Sequence, residues 1–166
     1  GVSGICKGAL AKDNELLIAQ ELFECLGQVM AVDESKMDIV TAVSGSGPGY
    51  LLYLVENIDD SSKRVERIKE IIPDYIKAAK ENGFSRIESE FFATTTAKAA
   101  ISYLEEHPEL NALQKFRKQV TSKNGTTQAA IDKLKSGGSL SDAVKAAIKR
   151  AKELSEYVNK VIKKRK

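Results

Sequence analysis

Apolar residues recur at three- and four-residue spacing along most of this chain, and that period predicts helices rather than a sheet. Leu16, Leu17, Ala19, Leu22, Phe23 and Leu26 mark a first helix, which Asp13 can cap and Gly27 can end. Gln28 to Val32 is the best candidate for a short strand. Lys36 to Val43 reads as a second, short helix, and a third opens near Pro48 and runs through Tyr53 and Val55. Asp59 to Lys69 is charged and poor in large apolar groups, so it reads as an exposed extension or loop. The amphipathic pattern resumes from Glu70 to Gly83 with Ile72, Tyr75, Ile76 and Ala79.

Arg86 to Glu106 predicts a long helix. Its middle, Ala93 to Ala100, carries almost only small residues, which let neighbouring backbones approach closely and point to a central, enclosed helix. Pro108 ends it. Glu109 to Val120 predicts a shorter helix and Thr121 to Gly125 a turn. Thr126 or Thr127 is placed to cap a helix to Lys135 that Gly137 and Gly138 close, and Ser139 or Ser141 then caps a last helix. In that helix Leu140, Val144, Ala147, Ala151, Leu154, Val158 and Val161 are spaced 4-3-4-3-4-3, a narrow seam that calls for a partner helix. The partner is either another helix of the same chain or one from a second copy. No alternating run is long enough to build a sheet. The expected fold is all-α, a helical bundle formed by residues 1–166 as one domain.

With 166 residues, 42% of them apolar and 30% charged, the chain can bury a real core. The net charge of +3 is too small to imply a nucleic-acid partner, and the basic tail Lys160 to Lys166 reads as a solvated helix end. Cys6 and Cys25 have no metal-ligand or redox spacing, so two inert thiols in a reducing, cytoplasmic setting are expected. No apolar run approaches a membrane span. No metal-ligand cluster and no set for covalent catalysis is visible. His107, the sole histidine, is more in keeping with a structural helix end than with a general base.

Two corners stand out. Thr41 to Tyr50 reads TAVSGSGPGY, with Gly45, Gly47 and Gly49 alternating and Pro48 where a helix would begin. It carries neither Gly-Lys-Ser/Thr nor Gly-x-Gly-x-x-Gly, so it fits neither common phosphate loop. Val120 to Thr127 reads VTSKNGTT, offering hydroxyls and N–H groups at a helix start, a combination suited to a carboxylate or phosphate. A turn between helices and a plain N-cap are the competing readings.

Together the corners resemble a family. Asp38 to Tyr50 is similar to the D-x-V-T-A-x-S-G-S-G-P-A-Y signature of pyrroline-5-carboxylate reductase, Val120 to Thr127 to its V-T-S-P-G-G-T-T, and Glu105-Glu106-His107-Pro108 to the E-x-H-P that precedes it. The resemblance covers nearly the whole chain, but only the family's C-terminal helical domain. It implies an enzyme that reduces 1-pyrroline-5-carboxylate to L-proline with NADPH or NADH, the last step of proline biosynthesis. It also implies a homodimer or higher oligomer whose helical domains interlock, with no nucleic-acid or membrane partner. The cofactor would be held mainly by an N-terminal Rossmann domain outside this chain, which starts at Gly1 without a Met. The isolated chain is expected to be inactive.

The resemblance further implies roles. Ser122, Asn124, Gly125, Thr126 and Thr127 would surround the substrate, with Thr127 at the imine nitrogen and Glu105 orienting Thr127. Ser46, Gly47, Pro48 and Gly49 would abut the nicotinamide. Lys123-Asn124 departs from the family's Pro-Gly, Gly49 replaces Ala, and Ile58 to about Pro73 looks inserted. Another imine or hydroxy-acid reductase, and a non-enzymatic helical interaction module, remain the alternatives.

Overall fold

A computed structural model describes residues 1–163, with side chains described through residue 158. The chain runs β1 (Val2–Ile5), α1 (Asp13–Glu24), β2 (Gln28–Ala31), a 3-10 turn at Glu34–Lys36, α2 (Met37–Val40), a widened π turn at Thr41–Gly45 and α3 (Gly47–Tyr53). It continues with α4 (Ser61–Glu81), α5 (Arg86–Glu106), α6 (Leu110–Gln119), α7 (Thr126–Lys135) and α8 (Leu140–Lys163). The helical expectation holds. The basic tail beyond residue 163, and the side chain of Val161, lie outside the described residues.

The body packs around α5. Ala93, Thr96, Ala97 and Ala100 are buried, so α3 and α4 can press onto α5 where it is slimmest. Ser85 starts α5 with a reciprocal cap: its hydroxyl accepts from the Glu88 N–H at 3.2 Å, and the Glu88 carboxylate accepts from the Ser85 N–H at 2.6 Å. Such a cap contributes about 1 kcal/mol. Lys36 reaches the same carboxylate at 3.3 Å and so joins the 3-10 turn to α5. Partial burial pushes Glu88 up, but the hydrogen bonds from Ser85 and the Lys36 ammonium outweigh it and hold the carboxyl below its ordinary value.

Asp13 does not cap α1: Lys12 stands at the cap position, and Asp13 lies in the first turn paired with Lys7. Three further expectations need correction. Asp59 to Lys69 is not a loop: Asp60 accepts from the N–H groups of Ser62 and Lys63, and α4 begins at once. The apolar signal there is thin because a buried position is filled by arginine. Arg64 is 1% exposed, and its guanidinium donates to the carbonyls of Ile58, Asp59 and Pro108 at 2.6 to 2.8 Å. Main-chain dipoles satisfy this buried cation, which ties the start of α4 to the turn after α5.

Second, a small sheet exists. β1 and β2 pair in parallel, with Val2 opposite Gln28 and Ile5 opposite Ala31, and α1 forms the crossover between them. Four residues are enough because the pairing is carried by the main chain, which leaves little side-chain period to read. Gly4 lets this unit close on the body: a Cβ there would overlap Val40 and press on Phe92. The apolar face of α1, however, is bare. None of its residues is buried, and Leu17, Ile18, Leu22 and Phe23 are all exposed.

Third, neither Thr126 nor Thr127 caps α7. Gly125 occupies the cap position and no side chain serves the first-turn N–H groups. α8, by contrast, is capped as expected, with Ser139 and Asp142 exchanging hydrogen bonds. Its seam divides in two. Val144, Ala147 and Ala151 are buried in the body, whereas Leu154 is 37% exposed and Val158 52% exposed.

Candidate functional site

The two corners, some eighty residues apart in sequence, meet. The Ser46 hydroxyl donates to the Thr126 hydroxyl at 2.7 Å. Gly49 lies against the second corner, where an added Cβ would overlap the Thr127 methyl group and come within 3.2 Å of Val120. In this chain helix α3 settles closely on α7 because position 49 has no side chain.

Gly47 is used in a different contact. A Cβ there would meet Thr96 Cγ2 at 2.7 Å and the Tyr75 hydroxyl nearer still. That hydroxyl donates to the Val43 carbonyl and accepts from Tyr50 at 2.8 Å. Burial raises both phenols above the ordinary tyrosine range, so Tyr75 keeps its proton and remains a donor. The π turn it braces, closed by the Ser46 N–H on the Thr41 carbonyl at 2.8 Å, delivers the chain into α3. Thus Gly47 and Gly49 are enclosed by side chains of this same chain. Of the sequence-expected cofactor corner, Ser46 is also buried and Pro48 is half-buried; Gly45 beside them is exposed.

The second corner is open in the complementary way. Ser122 to Gly125 form a turn, with the Gly125 N–H on the Ser122 carbonyl at 3.0 Å and Asn124 at φ 58°. A third turn position with positive φ accepts Gly or Asn, so Asn124 can hold it without a glycine. Ser122, Lys123 and Asn124 are exposed, and Thr126 is half-buried. Thr127 is only 5% exposed, yet its hydroxyl makes no hydrogen bond among the described residues. An uncapped first turn, nearby hydroxyls and one sheltered free hydroxyl give a group of donors suited to a carboxylate and a second hydrogen-bonding atom.

Glu105 is not brought to Thr127 within one chain. It is exposed near the end of α5, in a hollow with Ser61, Ser62, Glu66 and Pro108. His107 ends α5 and rests on the Tyr103 ring at 4.7 Å between centroids, away from the second corner. No cluster of metal-ligating side chains occurs among the described residues. No described helix is long and apolar enough to cross a membrane.

One connection escaped the sequence reading. Arg117 near the end of α6 pairs with Glu56 just past α3, Nε to Oε2 at 2.5 Å, both largely buried and held by charge without hydrogen-bond geometry. The Arg117 carbonyl in turn accepts from the Thr121 hydroxyl at 2.6 Å. The far end of α3 is thereby fixed to the segment that enters the second corner. Neither residue belongs to a motif, and a pairing over such a sequence distance leaves no local signal.

Comparison with known proteins places this arrangement. The model of the family described as pyrroline-5-carboxylate reductase dimerisation matches residues 68–154. Pyrroline-5-carboxylate reductase 1 of Bacillus subtilis (strain 168) is 33% identical over 164 residues, covering 95% of this chain and 48% of the relative. Pyrroline-5-carboxylate reductase of Mycobacterium tuberculosis (strain CDC 1551 / Oshkosh) is 35% identical over 158 residues, covering 95% and 52%. That of Pseudomonas aeruginosa is 32% identical, covering 95% and 52%. The chain thus spans about half the length of these curated relatives. No solved structure matches it significantly.

Proposed function

The chain belongs to the pyrroline-5-carboxylate reductase dimerisation family, and from that premise we propose that it is the substrate-binding and self-association part of a cytoplasmic enzyme reducing 1-pyrroline-5-carboxylate to L-proline with NADPH or NADH. The observation that carries this reading is Thr127. The residue is 5% exposed, and its hydroxyl is unpartnered and set in the first turn of an uncapped helix, one residue from the threonine that Ser46 holds.

In this reading the free N–H groups of Thr126 and Thr127, with Ser122, Asn124 and the Gly125 backbone around them, take the substrate carboxylate. The positive end of α7 and a set of fixed donors suit an anion. The Thr127 hydroxyl addresses the ring nitrogen and holds the imine in one orientation, with the proton destined for that nitrogen on the same side. Orientation is the main demand, because an iminium is already electrophilic. A bound nicotinamide supplies the hydride.

The residues fit such a ring over a restricted face. Gly47 and Gly49 are covered, so Pro48 and the exposed Gly45 offer the flat, bare surface, with Ser46 behind them. Glu105, if it orients Thr127, does so from a second copy, since its own chain keeps the two apart. Residues 1–166 act as one unit, and the bare part of the α8 seam, Leu154 and Val158 with exposed Tyr157 beside them, is the surface for that second copy.

The test is proline formation by the full-length protein, supplied with NADPH or NADH and pyrroline-5-carboxylate, against other cyclic imines and 2-hydroxy acids. Preferential turnover of pyrroline-5-carboxylate is expected. Turnover of another imine in its place, or none by a folded dimer, overturns the reading.

A further inference from the structure

The turn that carries the proposed carboxylate donors is not held by α7 alone. Arg150 of α8 donates from Nε to the Asn124 carbonyl at 2.6 Å. The same peptide unit donates its other end, the Gly125 N–H, to the Ser122 carbonyl at 3.0 Å. The Asn124–Gly125 peptide is therefore held at both poles, and it is the peptide immediately before the uncapped turn of α7.

The guanidinium is itself held. Its Nη1 donates to Glu153 at 2.9 Å, one turn along α8. Its backbone sits between Ala147 and Ala151, both buried where α8 lies along α7. A planar fork can serve a carbonyl and a carboxylate at once, which an ammonium does with less directional control. Asn124 makes this hold consequential. With φ at 58° it occupies a conformation that a non-glycine residue adopts at some cost, and a peptide there can flip. A flip would turn the Gly125 N–H away from Ser122 and re-aim the donors that follow. Exposed ion pairs contribute little by themselves, so the Arg150–Glu153 pair serves geometry more than stability.

We propose that Arg150 is a positioning residue for substrate binding: by gripping the Asn124 carbonyl it fixes the Ser122–Gly125 turn, with the Gly125 N–H kept on Ser122, in the orientation that aims the free N–H groups of Thr126 and Thr127 at the substrate carboxylate. This rests on the functional reading above. Because Arg150 lies next to the part of α8 left bare for a second copy, it also links the set of that helix to the shape of the turn.

The experiment combines steady-state kinetics with amide hydrogen exchange on the full-length protein, comparing Arg150→Met, Arg150→Lys and Glu153→Gln. Arg150→Met is expected to raise KM for pyrroline-5-carboxylate about tenfold with kcat within about twofold, and to speed exchange at the bonded amides of Gly125 and Ala129. Arg150→Lys should recover part of the KM change, and Glu153→Gln should show a smaller change of the same kind. Unchanged KM or unchanged exchange in a folded Arg150→Met protein overturns the proposal. So does an equal loss in kcat and melting temperature without a KM effect, which marks a structural role alone. Should Arg150→Met fail to fold, Glu153→Gln decides: faster exchange at Gly125 and Ala129 supports the proposal and unchanged exchange refutes it. A wild-type protein that makes no proline sinks the functional reading, while the exchange measurement still judges whether Arg150 holds the turn.

Discussion

The two glycine-bearing corners look alike in sequence and do opposite things. In the first, Gly47 and Gly49 are bare so that this chain can fill the space itself: Tyr75 and Thr96 crowd one, Thr127 and Val120 the other. In the second, Ser122 to Asn124 stay open beside an uncapped helix start and the unpartnered hydroxyl of nearly buried Thr127. The difference teaches that a run of small residues announces close approach without saying what approaches. Here the first corner is a packing surface that fixes the second, and the second holds the donors.

That division can be broken by substitution. Gly47→Ala carries the largest expected effect, because its methyl group would enter space held by Thr96 and the Tyr75 hydroxyl. Crowding in a filled core costs about 1–3 kcal/mol, and this site belongs at the upper end because two elements must shift. Chemical denaturation should show a lower midpoint at unchanged slope. Stability within about 0.5 kcal/mol of wild type would show that the first corner is not load-bound by packing.

Thr127→Val sharpens the contrast from the other side. It keeps the methyl group that lies on Gly49 and removes only the unpartnered hydroxyl. The expected result is a loss of roughly a hundredfold in kcat/KM with a melting temperature close to wild type. Undiminished turnover would remove Thr127 from the chemistry. A large drop in stability would show that its hydroxyl has a structural partner.

Gly45→Ala is the smallest effect and the internal control. A Cβ at Gly45 meets nothing closer than Thr41 Cγ2 at 3.9 Å, so stability should change by no more than about 0.5 kcal/mol. Thermal unfolding of the two alanine variants side by side makes the point directly: the same exchange, two residues apart, should be costly at 47 and nearly silent at 45. Equal effects at both positions would erase the distinction between the covered and the open part of this corner.

Much of the fold was legible in the sequence, and particular residues show why. α5 was readable from end to end because its signals are local: Ser85 and Glu88 cap it, small residues mark its enclosed middle, and Pro108 stands just past its end. The first turns of α4 were not, since a buried arginine satisfied by two nearby carbonyls and the distant one of Pro108 looks like surface charge in a linear reading. β1 was missed because four residues paired through the main chain leave no period. Both corners were found by composition and turn chemistry. The assignments within them depended on contacts with Tyr75, Thr96 and Arg150, which no spacing rule connects to the motifs.

The sequence by itself determined the helical period, most helix ends and the two corners, because caps, turns and amphipathic faces act within a few residues of themselves. Only the tertiary structure decided that the corners meet, that Gly47 and Gly49 serve packing, that Glu105 stays apart from Thr127 in one chain, and that Arg150 grips the donor turn. Each of those facts is a contact between segments far apart along the chain. Such contacts are set by how whole helices fit together, and the residues that make them carry no local mark of their partner.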